Sequence, residues 1–345
     1  MNCNRPRWLR YNQAMRVLLV KLSSMGDVIH NLPVVSDLAR ARPEVEIDWA
    51  IESPYVEIAA MHPAVKNILP VPLRGLKKQW WSAPAWSDLL ACRSRLRQRR
   101  YEHILDTQGL VKSAWVANWA SGPVAGYSAT SAREPLAARL YDQAFDIPRN
   151  LHAVTRNRLL AGKVFGYLPA DRVDYGLSAP RQSPPWLPAA PYVVFLHATS
   201  RANKRWPDRS WVELGTRLQA RGLEVLLPWG NDDERATSEH VARSLPRSTV
   251  PPPMTLVEAA AVLAKAVVVV GVDTGLAHLA VALERPTIGL YITSQPRLTG
   301  LFSSGIAVTS GSSAAVNLGG GSEDAPFIPD VDAVWQALLP AVNSA

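Results

Sequence analysis

The 345-residue chain predicts two doubly wound α/β domains in series. Three observations lead there. Buried-strand runs alternate with helical apolar spacings from Met15 to the C-terminus, a pattern that implies parallel sheets covered on both faces. The length suits about two domains of roughly 150 residues each. Between the two series lies "LSAPRQSPPWLPAAP" (177–191), rich in proline and without periodicity; it reads as a linker.

The first domain is read over 15–176. "RVLLVKL" (16–22) is an apolar run of strand length, and "DVIHNLPVVSDLARA" (27–41) spaces Val28, Leu32, Val35 and Leu38 as one helix. "EIDWAI", "VKNILPV" and "EHILDT" follow as strands; "PYVEIAAMH", "WSDLLACRSRLRQRR" and "LVKSAWVANWA" are the helices between and after them. The second domain is read over 192–326. "YVVFLH", "LEVLLP", "VVVVG" and "PTIGLY" are its strands. Its helices are "DRSWVELGTRLQARG", which Gly222 stops, "ERATSEHVARSL", "TLVEAAAVLAKA" and "GLAHLAVALE". A final helix in 327–345, "DVDAVWQALLPAV", closes the chain and could pack back on the first domain. Two such domains are expected to face a central cleft, with ligands just beyond the carboxyl ends of the strands.

Composition narrows the class. With 48% hydrophobic residues the chain can bury sizeable cores. Two cysteines, Cys3 and Cys92, make no disulfide framework and no CxxC, which suits a reducing cytosol. No apolar run reaches the roughly 18 residues of a membrane span, and no signal-peptide core is visible. The segment before Met15 reads as a disordered leader or a misassigned start. The net charge of +8 is uneven. Residues 1–175 hold 24 Lys and Arg against 15 Asp and Glu, and residues 176–345 hold 13 against 14. The basic half should therefore meet something anionic: nucleic acid, a membrane surface or a phosphorylated substrate.

Three loops after strands carry candidate chemistry. In "KLSSMGDVIH" (21–30), Asp27 sits in the first turn of a helix. It can cap that helix, or take a proton from a bound hydroxyl. In "HATSRANKRWP" (197–207), Thr199, Ser200 and Lys204 offer two hydroxyls and an ammonium, a set suited to a diphosphate. In "GVDTGLAHLA" (271–280), a buried strand delivers Asp273, Thr274 and Gly275 to a helix N-terminus, where unpaired N–H groups and the helix dipole favour an anion. His278, one turn on, can face the same ligand or belong to the core. The GxGxxG and GxxxxGK[ST] phosphate loops are absent. "DVD" at Asp330–Asp332 opens the last helix, so it is expected to cap rather than bind a metal.

Taken in order, "MRVLLVKLSSMGDVIHNLP", "DTQGLVKSA", "SAREPLA", "VFLHATSRANKRWP", "LPWG" and "VDTGLAHL" resemble the lipopolysaccharide heptosyltransferases, over nearly the whole chain from Met15. The resemblance implies a GT-B glycosyltransferase of family 9. Such an enzyme moves heptose from ADP-heptose to a Kdo sugar of Kdo–lipid A with inversion. No metal or other cofactor is expected, because no metal-ligand cluster is visible in the sequence. The resemblance implies Asp27 as general base and Lys204 as the cation acting on the leaving diphosphate. Thr199, Ser200, Lys204, Met254, Asp273, Thr274, Gly275 and His278 match donor-contact positions. An acidic donor contact after "PWG" is expected among Asp232, Asp233 and Glu234, with Asp232 preferred. Arg74, Lys77, Lys78 and Arg133 match the positions that meet the acceptor's anionic groups.

"RGLKKQWWSAPAW" (74–86) also interleaves basic residues with Trp80, Trp81 and Trp86, the composition of a membrane-interface contact. The expected setting is the cytoplasmic face of the inner membrane, as a monomer touching it peripherally. An enzyme adding the second heptose is the near alternative. A nucleic-acid- or nucleotide-binding protein is the distant one: no nucleic-acid module is recognisable, and Asp27 has no task in a protein that only binds nucleotides.

Overall fold

The computed structural model describes residues 15–74, 82–199, 201–303 and 315–344. Each half of the chain builds a six-stranded parallel sheet, the predicted α/β class. In the first, β1 (Met15–Val20), β2 (Val45–Glu52), β3 (Val65–Val71), β4 (His103–Asp106), β5 (Val124–Tyr127) and β6 (Gln143–Phe145) lie in the order β3-β2-β1-β4-β5-β6. In the second, β7 (Tyr192–Leu196), β8 (Glu224–Leu226), β9 (Ser248–Thr249), β10 (Val268–Val272), β11 (Thr287–Tyr291) and β12 (Ala315–Gly319) lie in the order β12-β11-β10-β7-β8-β9. Both orders reverse once, between β1 and β4 and between β7 and β10. Loops that leave two such strands diverge and open a crevice at their carboxyl ends.

The helices of the first half are α1 (Met25–Ile29), α2 (Leu32–Ala41), α3 (Val56–Ala60), α4 (Ala83–Arg97), α5 (Val111–Ala117) and α6 (Ala153–Phe165). Those of the second are α7 (Asp208–Gln219), α8 (Asp232–Ala242), α9 (Leu256–Lys265), α10 (Gly275–Ala282), α11 (Pro296–Thr299) and α12 (Val331–Asn343).

The residues of β1 explain why it is central. Val17, Leu18, Leu19 and Val20 are all fully buried, so both faces of the strand are covered. One cover consists of α4 and α5, which set Leu89, Cys92, Leu96 and Val116 against Leu18, Val20 and Ile104. In the second half α7 sets Trp211, Leu214 and Leu218 on β7 and β8. The last helix, α12, adds Val331, Val334 and Leu338 to that same core. It therefore packs on the second sheet.

One predicted helix is two. The 27–41 pattern divides into α1 and α2. Pro33 has no N–H to give Ile29, and its ring would strike that carbonyl in a continuous helix. The chain turns at His30 and Asn31 instead, and Val34 N–H restarts the ladder on the Asn31 carbonyl at 3.0 Å.

The chain forms two compact units. One holds the residues up to Ser23, Asn31–Arg149 and Thr155–Ala170; the other holds Ser24–His30, Asn150–Val154 and Asp171 onward. Thus α1 and its Asp27, which the sequence places on the first domain, belong to the unit of the second sheet. The linker stretch 177–191 contains no helix or strand.

Candidate active site

The second unit's crevice lies where β7 and β10 part. The loop after β7 presents Thr199 and then a single 3-10 turn, Ala202–Lys204. β10 runs straight into Asp273, Thr274 and α10. Lys204 Nζ donates to Asp273 Oδ2 at 2.6 Å, and the two side chains are only 20% and 16% exposed. Thr274 is the extended N-cap residue of α10 and makes no side-chain cap bond. The first N–H groups of that helix are thus left without the hydroxyl acceptor that usually serves them. Asp273 does not cap α10; its carboxylate anchors the Lys204 ammonium.

A cavity of about 250 Å³ reaches Thr274, the N-cap residue of α10, a little below the usual range of small-molecule sites, roughly 300–1,000 Å³. Leu196, Met254, Leu256, Ala259 and Leu276 give it apolar walls, and Thr199, Glu234 and Thr274 bring polar atoms. Trp229 closes one side. Its Nε1–H donates to the Pro251 carbonyl at 2.8 Å, and the Arg235 guanidinium lies 5.4 Å from its ring centroid. A second hollow of about 260 Å³ shares Ala198, Thr199 and Glu234 with the first and adds Arg205.

Of the three acids after "PWG", Glu234 lines both hollows and Asp233 lines the second. The Glu234 carboxylate accepts the Gly230 N–H at 2.7 Å, and the Glu234 N–H donates to Asn231 Oδ1, the side-chain cap of α8. Asp232, which the sequence favours, is exposed in the first turn of α8 and does not line either hollow. Asn231 explains the difference: it sets Asp232 at the first helical position and Glu234 at the third, which turns back toward the loop.

Asp27 sits on α1, half-buried. Its Oδ2 accepts both the N–H and the hydroxyl of Ser24, each at 3.0 Å. So Asp27 does brace its helix, and both bonds fall on one oxygen. α1 packs directly on α10. A Cβ on Gly275 would lie 2.5 Å from Met25 Sδ and 2.6 Å from Met25 Cβ. A Cβ on Gly26 would lie 3.1 Å from the His278 ring. Gly275, a donor-contact position by resemblance, thus also admits the Met25 side chain. His278 is buried, which lowers its pKa, while Asp273 and Asp27 pull the other way.

The first unit holds its own polar cluster at the carboxyl ends of β1, β2 and β4. Glu52, the last residue of β2 and 3% exposed, accepts from Arg74 Nε at 2.7 Å and from Lys112 Nζ at 3.2 Å. Lys112 also reaches Ser23 Oγ at 3.1 Å, and Arg74 donates to the Tyr55 hydroxyl. Gln108 ties the two loops together: its Oε1 accepts the Leu22 N–H at 2.6 Å and its Nε2 donates to the Ser23 carbonyl at 2.9 Å. Asp106 holds that loop from below. It accepts from the N–H of Gln108 and of Gly109, from Ser113 and from Tyr141; burial raises its pKa and these bonds oppose the rise. Arg133 is exposed, next to Glu134, whose N–H donates to the Gly109 carbonyl.

Ser200, Lys77 and Lys78 lie outside the described residues. Asp330 caps α12 by accepting the Ala333 N–H at 2.6 Å, and Asp332 pairs with Arg217 at 2.6 Å. Among the described residues no group of three or more His, Cys, Asp or Glu could hold a metal ion. Sequence reasoning missed Glu52 and Lys112. The signal was present in "AIES" and "GLVKS": the first ends a strand on an acid, and the second opens the following helix with a base.

Two doubly wound parallel sheets of this order, one with a cavity at its carboxyl end that reaches a helix N-terminus, have the α/β architecture of the GT-B glycosyltransferases. Residues 89–317 match the glycosyltransferase family 9 (heptosyltransferase) model. Lipopolysaccharide heptosyltransferase 1 of Pseudomonas aeruginosa is 44% identical over 84% of this chain and 81% of its own length. That of Escherichia coli K12 is 41% identical over 83% of this chain and 90% of its own. The solved structure of E. coli heptosyltransferase WaaC with ADP superposes with a TM-score of 0.83 at 37% identity, covering 95% of this chain and 100% of that one. The chain belongs to glycosyltransferase family 9, the heptosyltransferases. It transfers heptose in the biosynthesis of the lipopolysaccharide core.

Proposed function

We propose that the donor is ADP-heptose and the acceptor hydroxyl belongs to a Kdo residue of Kdo–lipid A. The observation that carries this reading is the uncapped start of α10, where Thr274 lines a nucleoside-sized cavity and the preceding Asp273 holds Lys204. The adenosine takes the cavity against Met254 and Trp229, with Glu234, in place of Asp232, accepting from the ribose. Thr199, Ser200, Thr274, the N–H groups of α10 and Lys204 receive the diphosphate. The acceptor oxygen attacks the anomeric carbon as the carbon–oxygen bond to phosphate breaks. Its proton passes to the Asp27 oxygen that Ser24 does not occupy, and ADP departs with the electron pair. Arg74, Lys77, Lys78 and Arg133 meet the acceptor's anionic groups, with Lys112 joining Arg74 around Glu52.

Transfer of labelled sugar from ADP-heptose to Kdo–lipid A tests the reading, with an already heptosylated acceptor alongside. Preference for the heptosylated acceptor would make the enzyme the one adding the second heptose. Curated heptosyltransferase 2 relatives match over far less of the chain, 28% for that of Salmonella typhimurium. The same assay in EDTA is expected to keep full activity, because Lys204 and the helix N-terminus carry the phosphate charge. Loss that magnesium restores would place a metal in the mechanism.

Lys204→Ala is expected to slow transfer and weaken ADP binding together. One charged hydrogen bond is worth roughly 1.5–3 kcal/mol, about 10- to 150-fold in affinity. Asp273, stripped of its partner, would then repel the diphosphate as well. Calorimetry with ADP checks this; wild-type affinity and turnover would remove Lys204 from the site.

The acceptor is a lipid, and the first unit has a face suited to one. On α4, Trp86, Leu90, Arg93 and Arg97 follow one another at helical spacing on the side away from the core, and Trp86 and Leu90 are 46% and 58% exposed. That stripe is read as the peripheral contact with the anionic cytoplasmic face of the inner membrane. No helix among the described residues is long and apolar enough to cross it. Co-sedimentation with vesicles containing an anionic phospholipid should fall several-fold when Arg93 and Arg97 are both changed to Glu; unchanged binding would move the contact elsewhere.

A further inference from the structure

Three imidazoles meet behind the donor seat. His30 caps the C-terminus of α1, His278 stands on α10, and His152 precedes α6. His30 Nε2 and His278 Nδ1 are 3.2 Å apart, with the two rings edge to face at 4.5 Å. His152 stacks on Phe302 at 4.3 Å and meets His30 edge-on at 5.2 Å.

Hydrogen bonding assigns most of the protons. His152 Nδ1 accepts the Val154 N–H, so its Nε2 carries the proton that goes to the Gly300 carbonyl at 3.0 Å. It is a neutral ring, and burial holds its pKa down at about 4. Between His30 and His278 a single proton must serve the shared bond, since two donors or two acceptors would repel. Two carboxylates act on His278. Its Cδ2–Nε2 edge faces Gly26, the residue before Asp27, and both Asp27 and Asp273 stabilise positive charge on its ring. A proton on Nε2, the nitrogen not engaged with His30, lies on the edge turned to the helix of Asp27. Nδ1 is then the lone pair that His30 must address with an N–H.

We propose that His30 is a positioning residue: its Nε2–H holds His278 in the Nε2–H tautomer and fastens α1, with Asp27, to α10. His278 then offers a fixed donor on the edge it turns to Gly26. The oxygen of Asp27 is held in register with the sugar for the attack. This rests on the reading of Asp27 as the base, and the role falls on the chemical step more than on donor binding.

Two substitutions of near-equal bulk separate a hydrogen bond from mere filling. The amide of His30→Gln can reach the place of Nε2 and donate to His278; His30→Leu fills the space and cannot. His30→Leu is expected to lower kcat about tenfold, the scale of one misdirected hydrogen bond, while His30→Gln stays within about threefold and the KM for ADP-heptose changes little in either. Nitrogen NMR of histidine-labelled protein reads the tautomer without any turnover. In the wild type and in His30→Gln the His278 ring should show Nδ1 unprotonated and Nε2 protonated; in His30→Leu the two forms should average. Equal kcat for Leu and Gln, or a wild-type His278 protonated at Nδ1, overturns the proposal. Should His30→Leu fail to fold, the wild-type spectrum and the Gln variant still decide it. A wild-type protein that shows the expected tautomer but transfers no heptose would count against the proposed function, and leave the tautomer assignment standing.

Discussion

Asp27→Asn is expected to abolish transfer while leaving ADP-heptose binding near wild type. Removing a general base typically costs about 100- to 10,000-fold in rate. The amide keeps the shape of the carboxylate, and its oxygen can still accept the Ser24 N–H that braces α1. So the fold of α1 and its packing on α10 should survive. Single-turnover kinetics with calorimetric donor binding on the same sample would check both halves. A variant that kept more than half of wild-type turnover would leave Asp27 as a brace for its helix and nothing more.

Gly275→Val should also cost about 100-fold in kcat, the effect of moving a reacting group by about 1 Å. The sequence alone suggests that this glycine makes room for the donor, which would put the loss in KM. The structure points to Met25 instead. Real Cβ atoms do not approach other atoms at 2.5–2.6 Å, and Met25 Cβ is a backbone-anchored atom that no rotamer change can withdraw. α1 has to move, and Asp27 moves with it. Overpacking of this kind typically costs about 1–3 kcal/mol of stability, so the melting temperature should fall by a few degrees. Measured kcat and KM decide: a large rise in KM with kcat kept would return Gly275 to the ligand.

The fold is legible because its central strands are unbroken apolar runs. "VVVVG" and "RVLLVKL" read as strands buried on both faces. What does not show is the short strand β5, the edge strands β6, β9 and β12, and the helix α6. Strands of two to five residues such as "ST" carry too few side chains for any period to show. The break between α1 and α2 is hidden because the apolar spacing is continuous through Pro33. Spacing reports which face is buried, and the missing N–H at Pro33 breaks the ladder regardless. At the site, residue types and their order locate Asp27, Lys204 and Asp273. Spacing cannot say that Asp273 holds Lys204, because the two are 69 residues apart and meet only where β7 and β10 lie side by side. Nor can it say which of Asp232 and Glu234 faces the hollows; the Asn231 cap decides that by setting where the α8 turn begins.

The turn at His30 and Asn31 bears on how this enzyme can be recombined. Residues 24–30 are encoded inside the first half of the chain but pack with the second. Met25 fits against Gly275, and His30 bonds to His278. A hybrid enzyme joined at the proline-rich stretch would pair one parent's Met25 and His30 with another parent's α10. Any mismatch would fall on the helix that carries Asp27. Exchanging the donor-binding half between relatives should therefore succeed only when residues 24–30 travel with it, and a gene spliced at one crossover point should give a soluble protein with impaired catalysis.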